Sequence, residues 1–369
     1  MRIDGAKFLK NNHLPAIFQA LAAAVLFGMS APLAKLLLGE MEPIPLAALL
    51  YLGSGLGVLG VKLLQGTSRR ERDREAPLVR GDMKWLVGAA LAGGVAAPIV
   101  LLFSLKNTPA GTASLLLNFE GVATALIALI AFREAISRRA WLAIVIITVA
   151  CIALSLDLKA EWGFAPGALG ILGACALWGL DNNFTRNISA KDPLSIVIVK
   201  GLSAGSFSLI LSLILGQHLP SLDVTLKALL LGGLSYGASI VLFIQAMRGL
   251  GAARTSAFFS TAPVAGVLLS AVIFREPTGW MVYMALPLMV LGALLLINEQ
   301  HAHTHTHEAL THEHAHRHDD GHHDHFHADG YALVHSHPHT HTALTHTHDH
   351  MPDLHHRHAH PNDKTGQSA

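Results

Sequence analysis

The chain has 369 residues, 51% of them hydrophobic and only 14% charged, with a formal net charge of +1. So apolar a composition argues against a soluble globular domain, and so small a charge predicts no nucleic-acid partner. The apolar residues fall into runs of about 20, the length that crosses a hydrocarbon core of about 30 Å. Ten runs follow in order: 15–38, 45–65, 84–105, 112–132, 140–157, 167–186, 194–216, 226–247, 254–274 and 279–297. The first follows Arg2, Lys7 and Lys10 but exceeds a signal-peptide core of about 7–15 residues and lacks a small-x-small cleavage site, so it reads as a retained span. Cys151 and Cys175 both fall inside apolar runs, where a lone cysteine packs as a small hydrophobe.

Lys and Arg set the orientation. With the N-terminus inside, the cluster from Arg69 to Lys84, the pair Arg138 and Arg139, and Arg186, Lys191, Arg248 and Arg254 all lie inside. Only Lys35, Lys106, Lys159, Lys227 and Arg275 then lie outside. The positive-inside rule predicts a multi-pass protein with both termini cytoplasmic.

The chain also repeats itself. At an offset of 142, Phe132, Arg133 and Glu134 fall on Phe274, Arg275 and Glu276, Ser114 on Ser256, and Val122 on Val264. At an offset of 151, Gly28 through Lys35 fall on Gly179 through Arg186. Each half holds five spans, an odd number, so the second half is inverted relative to the first. Inverted repeats are a design of secondary transporters, with the substrate site near the midplane. The expected organisation is an all-α polytopic membrane protein of ten transmembrane helices in two inverted five-helix repeats. Residues 1–14 form a cytoplasmic N-terminus, 15–157 and 158–298 the repeats, and 299–369 a disordered His-rich tail.

Ten spans in two halves of five, a TAPV element (261–264) followed by Phe274-Arg275-Glu276, and Leu177-Trp178-Gly179 with Arg186 downstream resemble the drug/metabolite transporter superfamily, EamA type. The resemblance covers the apolar part of the chain. It implies a secondary carrier of a bacterial-type inner (plasma) membrane, commonly an exporter, with alternating access between two five-helix halves. One departure is that Pro263 of TAPV has Gly121 as its first-half counterpart, preceded by Glu120.

Ionisable groups inside a span cost at least about 2.5–3.5 kcal/mol, so each needs a reason. Here they and their polar companions are Asn118 and Glu120 in the fourth span, Asp181, Asn182 and Asn183 in the sixth, Lys200 in the seventh and Gln245 in the eighth. Lys35 and Arg186 sit near span ends, where they can snorkel. At 100° per residue, Asp181, Asn182 and Asn183 cannot all face one partner. Asp181 and Glu120 together would give one carboxylate from each half near the midplane, able to bind a cation or exchange a proton against one. The alternative is a structural bridge from either carboxylate to Lys200, whose positive charge would otherwise repel a metal ion. No Walker A motif, nucleophile elbow or HExxH helix is present, so no enzyme activity is expected.

Of 25 histidines, all but His13 and His218 lie at or beyond residue 301. They mark a duplication, in which residues 301–316 and 335–350 match at an offset of 34 and every histidine of the unit recurs. The candidate metal ligands are His301, His303, His305, His307, His312, His314, His316 and His318, then His335, His337, His339, His341, His346, His348 and His350. Neutral imidazoles near pH 7 suit Zn, Cu, Ni and Co. With few apolar residues the tail is expected to lack structure without a ligand.

Combined, these features predict a proton-coupled exporter of divalent transition metals, Ni²⁺ or Co²⁺ first and Zn²⁺ next, with the tail collecting the ion; some members of the superfamily are nickel/cobalt-resistance exporters, and the His-rich tail with an acidic core resembles that branch. The runner-up is export of an amino acid or other small metabolite, with Lys200 in the site and the tail regulatory. No cofactor is required for the fold; Ni, Co or Zn is expected on the tail. The expected partners are the lipid bilayer and a small cation or metabolite, and a homodimer is left open.

Overall fold

The structure is a computed structural model. It describes residues 14–66, 76–132, 138–155, 165–189, 191–250, 255, 258–275 and 280–297, and four strands in the tail. Among the described residues six helical stretches are long and apolar enough to cross a membrane: Leu14–Leu37, Pro43–Leu64, Arg80–Lys106, Ala110–Ala131, Pro193–Ile214 and Leu222–Ala246. Shorter apolar helices at Trp141–Leu154, Ala262–Phe274 and Val282–Gly292, and the polar-ended helix Pro166–Arg186, fill the fifth, ninth, tenth and sixth places. Ten spans result, as expected. Large apolar side chains on their outer faces, Phe18, Leu64, Ile130, Ile214 and Val272 among them, remain exposed. On a protein of this composition such a surface meets lipid.

Several spans are interrupted, for local reasons. The first is two helices, Leu14–Gly28 and Ser30–Leu37, broken at Met29. Pro32 has no N–H for the Gly28 carbonyl, so the ladder fails there. The fourth is also two helices, Ala110–Leu116 and Phe119–Phe132. At that break Asn118 N–H donates to Leu115 (3.0 Å) and Glu120 N–H to Leu117 (3.1 Å), a tightening to three-residue bonds. A turn with the same bonding, Thr261 to Phe258 (3.1 Å), precedes Pro263 at the start of the ninth span. The third and eighth spans each contain a wide π-helical turn, Ala90–Ala96 and Gly232–Ala238. These two turns lie 142 residues apart, the offset already read from the sequence. Arg133, Glu134, Ser256 and Glu276, which helped define that offset, lie outside the described residues.

The halves exchange helices. The first span packs on the eighth and ninth, and the sixth on the third and fourth. The second and seventh cross each other, and the fifth lies against the tenth. Glycines allow the crossings. A Cβ on Gly201 would sit 2.6 Å from the Gly55 amide nitrogen. A Cβ on Gly28 would sit 3.1 Å from Ala265 Cβ, and one on Gly179 would sit 3.1 Å from Ala123 Cβ. Gly28 and Gly179 are counterparts at offset 151, Ala123 and Ala265 at offset 142, so one contact occurs twice. The inverted repeat is therefore present in packing as well as in letters.

The tail differs from expectation. Its described residues are four strands, β1 (His301–His307), β2 (Leu310–His316), β3 (His335–His341) and β4 (Leu344–His350). β1 pairs antiparallel with β4, and β2 with β3. The alternation of His with Thr and other residues has period two, the period of a strand, and backbone ladders need no apolar core to close.

Candidate functional site

Where the third, fourth, sixth and seventh spans meet, the side chains singled out in the sequence are brought together, with two exceptions. Asp181 and Lys200 are both buried and form an ion pair, and Thr185 Oγ1 donates to Asp181 Oδ1 at 3.0 Å. Asp181 presses against Gly93 in the π turn of the third span, where any Cβ would run into its carboxylate. On the other side of the sixth span, Asn182 Nδ2 donates to Glu120 Oε1 at 2.9 Å and to Thr124 Oγ1 at 3.1 Å. Asn183 Nδ2 donates to the carbonyls of Thr124 (3.1 Å) and Gly179 (2.8 Å).

The three consecutive polar residues thus divide as the helix geometry requires. Asp181 turns to Lys200 and the third span, while Asn182 and Asn183 hold the fourth. The structural bridge weighed in the sequence is the one Asp181 makes. Glu120 has no cation in contact among the described residues. Its side chain keeps part of its surface accessible. Asn118, buried at the break two residues earlier, has an amide nitrogen with no hydrogen-bond acceptor among the described residues.

Gln245 is the first exception, since it accepts from Gln19 at 3.4 Å between the first and eighth spans and does not join this network. The tail histidines are the second. His318 lies outside the described residues, and the other fourteen are placed by backbone register alone. Among the described side chains, no three His, Cys, Asp or Glu come together as a metal-holding group. Lys35, expected at the interface, donates to the Thr108 carbonyl at 2.5 Å.

Sequence reasoning missed an aromatic wall beside the carboxylates. Phe27 meets Trp178 (5.9 Å between ring centroids), Tyr236 (5.9 Å) and Phe259 (5.2 Å), and Tyr51 meets Tyr236 (5.5 Å). The wall is tied to the polar centre through one atom. The Gly93 carbonyl accepts from Tyr51 Oη at 2.5 Å and from Trp178 Nε1 at 3.0 Å. A π turn leaves carbonyls free of the regular ladder, which is why this one can take two outside donors. Both Tyr51 and Tyr236 lie within electrostatic range of Glu120. No sequence signal marked the wall, although Gly94 and Tyr236 are counterparts at offset 142 inside the two π turns.

Ten spans exchanged between two inverted halves, around a polar and aromatic centre, define a polytopic membrane transporter. The EamA-like transporter family matches residues 14–156 and 165–298. A relative from Methanothermobacter thermautotrophicus, described as an uncharacterized transporter, is 30% identical over 293 residues, covering 75% of this chain and 84% of the relative. A solved crystal structure with 20% identity superposes with a TM-score of 0.56 over 76% of this chain and 94% of its own, a likeness of fold. The chain belongs to the EamA-like transporter family, of the drug/metabolite transporter superfamily.

Proposed function

We propose that the protein is a secondary carrier whose central site takes a small organic solute bearing an amine, a narrower form of the runner-up, which allowed any amino acid or small metabolite and put Lys200 in the site. The observation that carries this is Glu120, a carboxylate in no ion pair among the described residues, within electrostatic range of Lys200 and of the Tyr51 and Tyr236 hydroxyls. An ammonium group gains both from the carboxylate and from aromatic faces. A bare divalent ion asks for several oxygen or nitrogen donors at once. Asp181 is already committed to Lys200, which leaves one free carboxylate in place of the expected two. A carboxylate inside a membrane span holds either a proton or a cation, so loading Glu120 with one expels the other, which is antiport.

The test is counterflow in proteoliposomes with a panel of labelled amino acids and amines, for the natural chain and Glu120→Gln. Saturable exchange that Glu120→Gln reduces at least tenfold supports the reading. Exchange by Glu120→Gln at the natural rate overturns it.

A second reading, export of Ni²⁺, Co²⁺ or Zn²⁺ out of the cytosol, is favoured by one observation, the density of histidine along the tail. Nickel accumulation by everted inner-membrane vesicles under a proton gradient, with the full chain and one ending at Gln300, separates the two. Gradient-driven nickel uptake without any amine exchange would replace the first reading by the second.

A further inference from the structure

The duplicated histidine units run antiparallel in a single register, carried from one ladder to the other. His307 stands opposite Leu344 at the end of the first ladder, and Leu310 opposite His341 at the start of the second. In this register histidine faces histidine six times: His301 with His350, His303 with His348, His305 with His346, His312 with His339, His314 with His337 and His316 with His335. Every one of these pairs takes one residue from each copy of the duplication.

Spacing decides which histidines can share an ion. Along one strand, same-face neighbours are about 6.5–7 Å apart. Directly opposite positions bring Cβ atoms to about 4.5–5.5 Å. Imidazole nitrogens bind zinc at about 2.0–2.1 Å, so two on one ion must come close together, and the cross-strand pair is the nearer one. Within each ladder the three pairs share a face, because they recur at every second position. Two successive pairs therefore bring four histidines to adjacent register positions, the number of ligands a tetrahedral or square-planar ion takes.

We propose that the tail is a divalent transition-metal site built jointly by the two copies, with each ion held by cross-strand histidine pairs. The duplication is then what creates the site, where a merely denser tail would add capacity alone. The proposal rests on tail register and is independent of what the membrane part carries.

The experiment compares two variants of the full-length protein in detergent that lose equal numbers of histidines. One replaces His301, His303, His305, His346, His348 and His350 by Asn, removing three whole pairs. The other replaces His335, His337, His339, His346, His348 and His350 by Asn, breaking all six. Zn²⁺ and Ni²⁺ are titrated against a chelating indicator. The first variant should keep tight sites at natural affinity with about half the stoichiometry, while the second should weaken by on the order of tenfold or more, since a paired ligand acts at high effective concentration. Equal affinities and stoichiometries for the two variants would show independent imidazoles and overturn the proposal, whether or not either variant still transports.

Discussion

Lys200 and Asp181 form a buried pair in which each residue is tolerable only because of the other. Removing one partner of such a pair leaves a bare charge and typically costs about 3–5 kcal/mol, whereas removing both is nearly neutral. Lys200→Met is therefore expected to lower the stability of the purified protein strongly, and Asp181→Asn with Lys200→Met to recover most of it, read as a double-mutant cycle of thermal unfolding in detergent. Equal losses in the single and double variants would mean the pair is not the unit. Both residues were legible in the sequence because a charge in an apolar run stands out. Their partnership was weighed there as an alternative, but the choice needed the helix crossings. Tyr51, Trp178 and Tyr236 were not legible, because an aromatic residue inside a span is ordinary in lipid and only its neighbours show that it borders a carboxylate.

Between the sixth and seventh spans, Asp192 joins three segments. Its Oδ1 accepts from the Leu194 N–H at 3.0 Å, capping the seventh span, and its Oδ2 accepts from Lys62 Nζ (2.6 Å) and Ser195 Oγ (2.8 Å). Burial alone would raise its pKa, but the bonds from Lys62, Ser195 and the Leu194 amide outweigh burial and hold the carboxyl below its ordinary value. A carboxyl lowered in the folded state stabilises fully above its unfolded pKa of about 3.9, and loses that contribution as pH falls through the lower folded value. Asp192→Ala is expected to cost about 1–2 kcal/mol from the lost cap, and Asp192→Asn less, because Lys62 is 41% exposed and its pair is screened. Melting temperatures from pH 7 to pH 3 check this, and the gap between the natural chain and Asp192→Asn should close only at the acid end. A gap that closes near pH 6 would assign the effect to another group. At this scale the sequence reading took every span as whole, although Pro32 and Pro263 stand at or just after two of the interruptions. It was silent at the π turns and at the Leu117–Asn118 break, which no residue type announces.

At the scale of the whole molecule, the contact of Gly28 with Ala265 and its counterpart, Gly179 with Ala123, hold equivalent crossings. Gly28→Val and Gly179→Val should each lower the melting temperature and the transport rate markedly, since overpacking such a crossing costs about 1–3 kcal/mol. Gly173→Val, on the same helix as Gly179 but with nothing within 4 Å of its Cβ, should change little. Similar melting for all three variants would mean the crossings are loose. The repeat offset made the ten-span architecture readable from letters, whereas the exchange of helices between halves was not, because hydropathy records that a helix is apolar and not which neighbour it meets.

That exchange bears on how the chain is born. The helix Leu14–Gly28 finds its main neighbours on the eighth and ninth spans. A ribosome adding about 5–20 residues per second reaches those spans roughly 10–50 s after it has made the first. For that interval the earliest helix sits in the bilayer without its final companions, its small-residue face turned to lipid. Insertion machinery or a chaperone that shelters nascent helices has its longest task at the very start of this chain, and a ribosome stall in the second half strands a first half that cannot finish on its own.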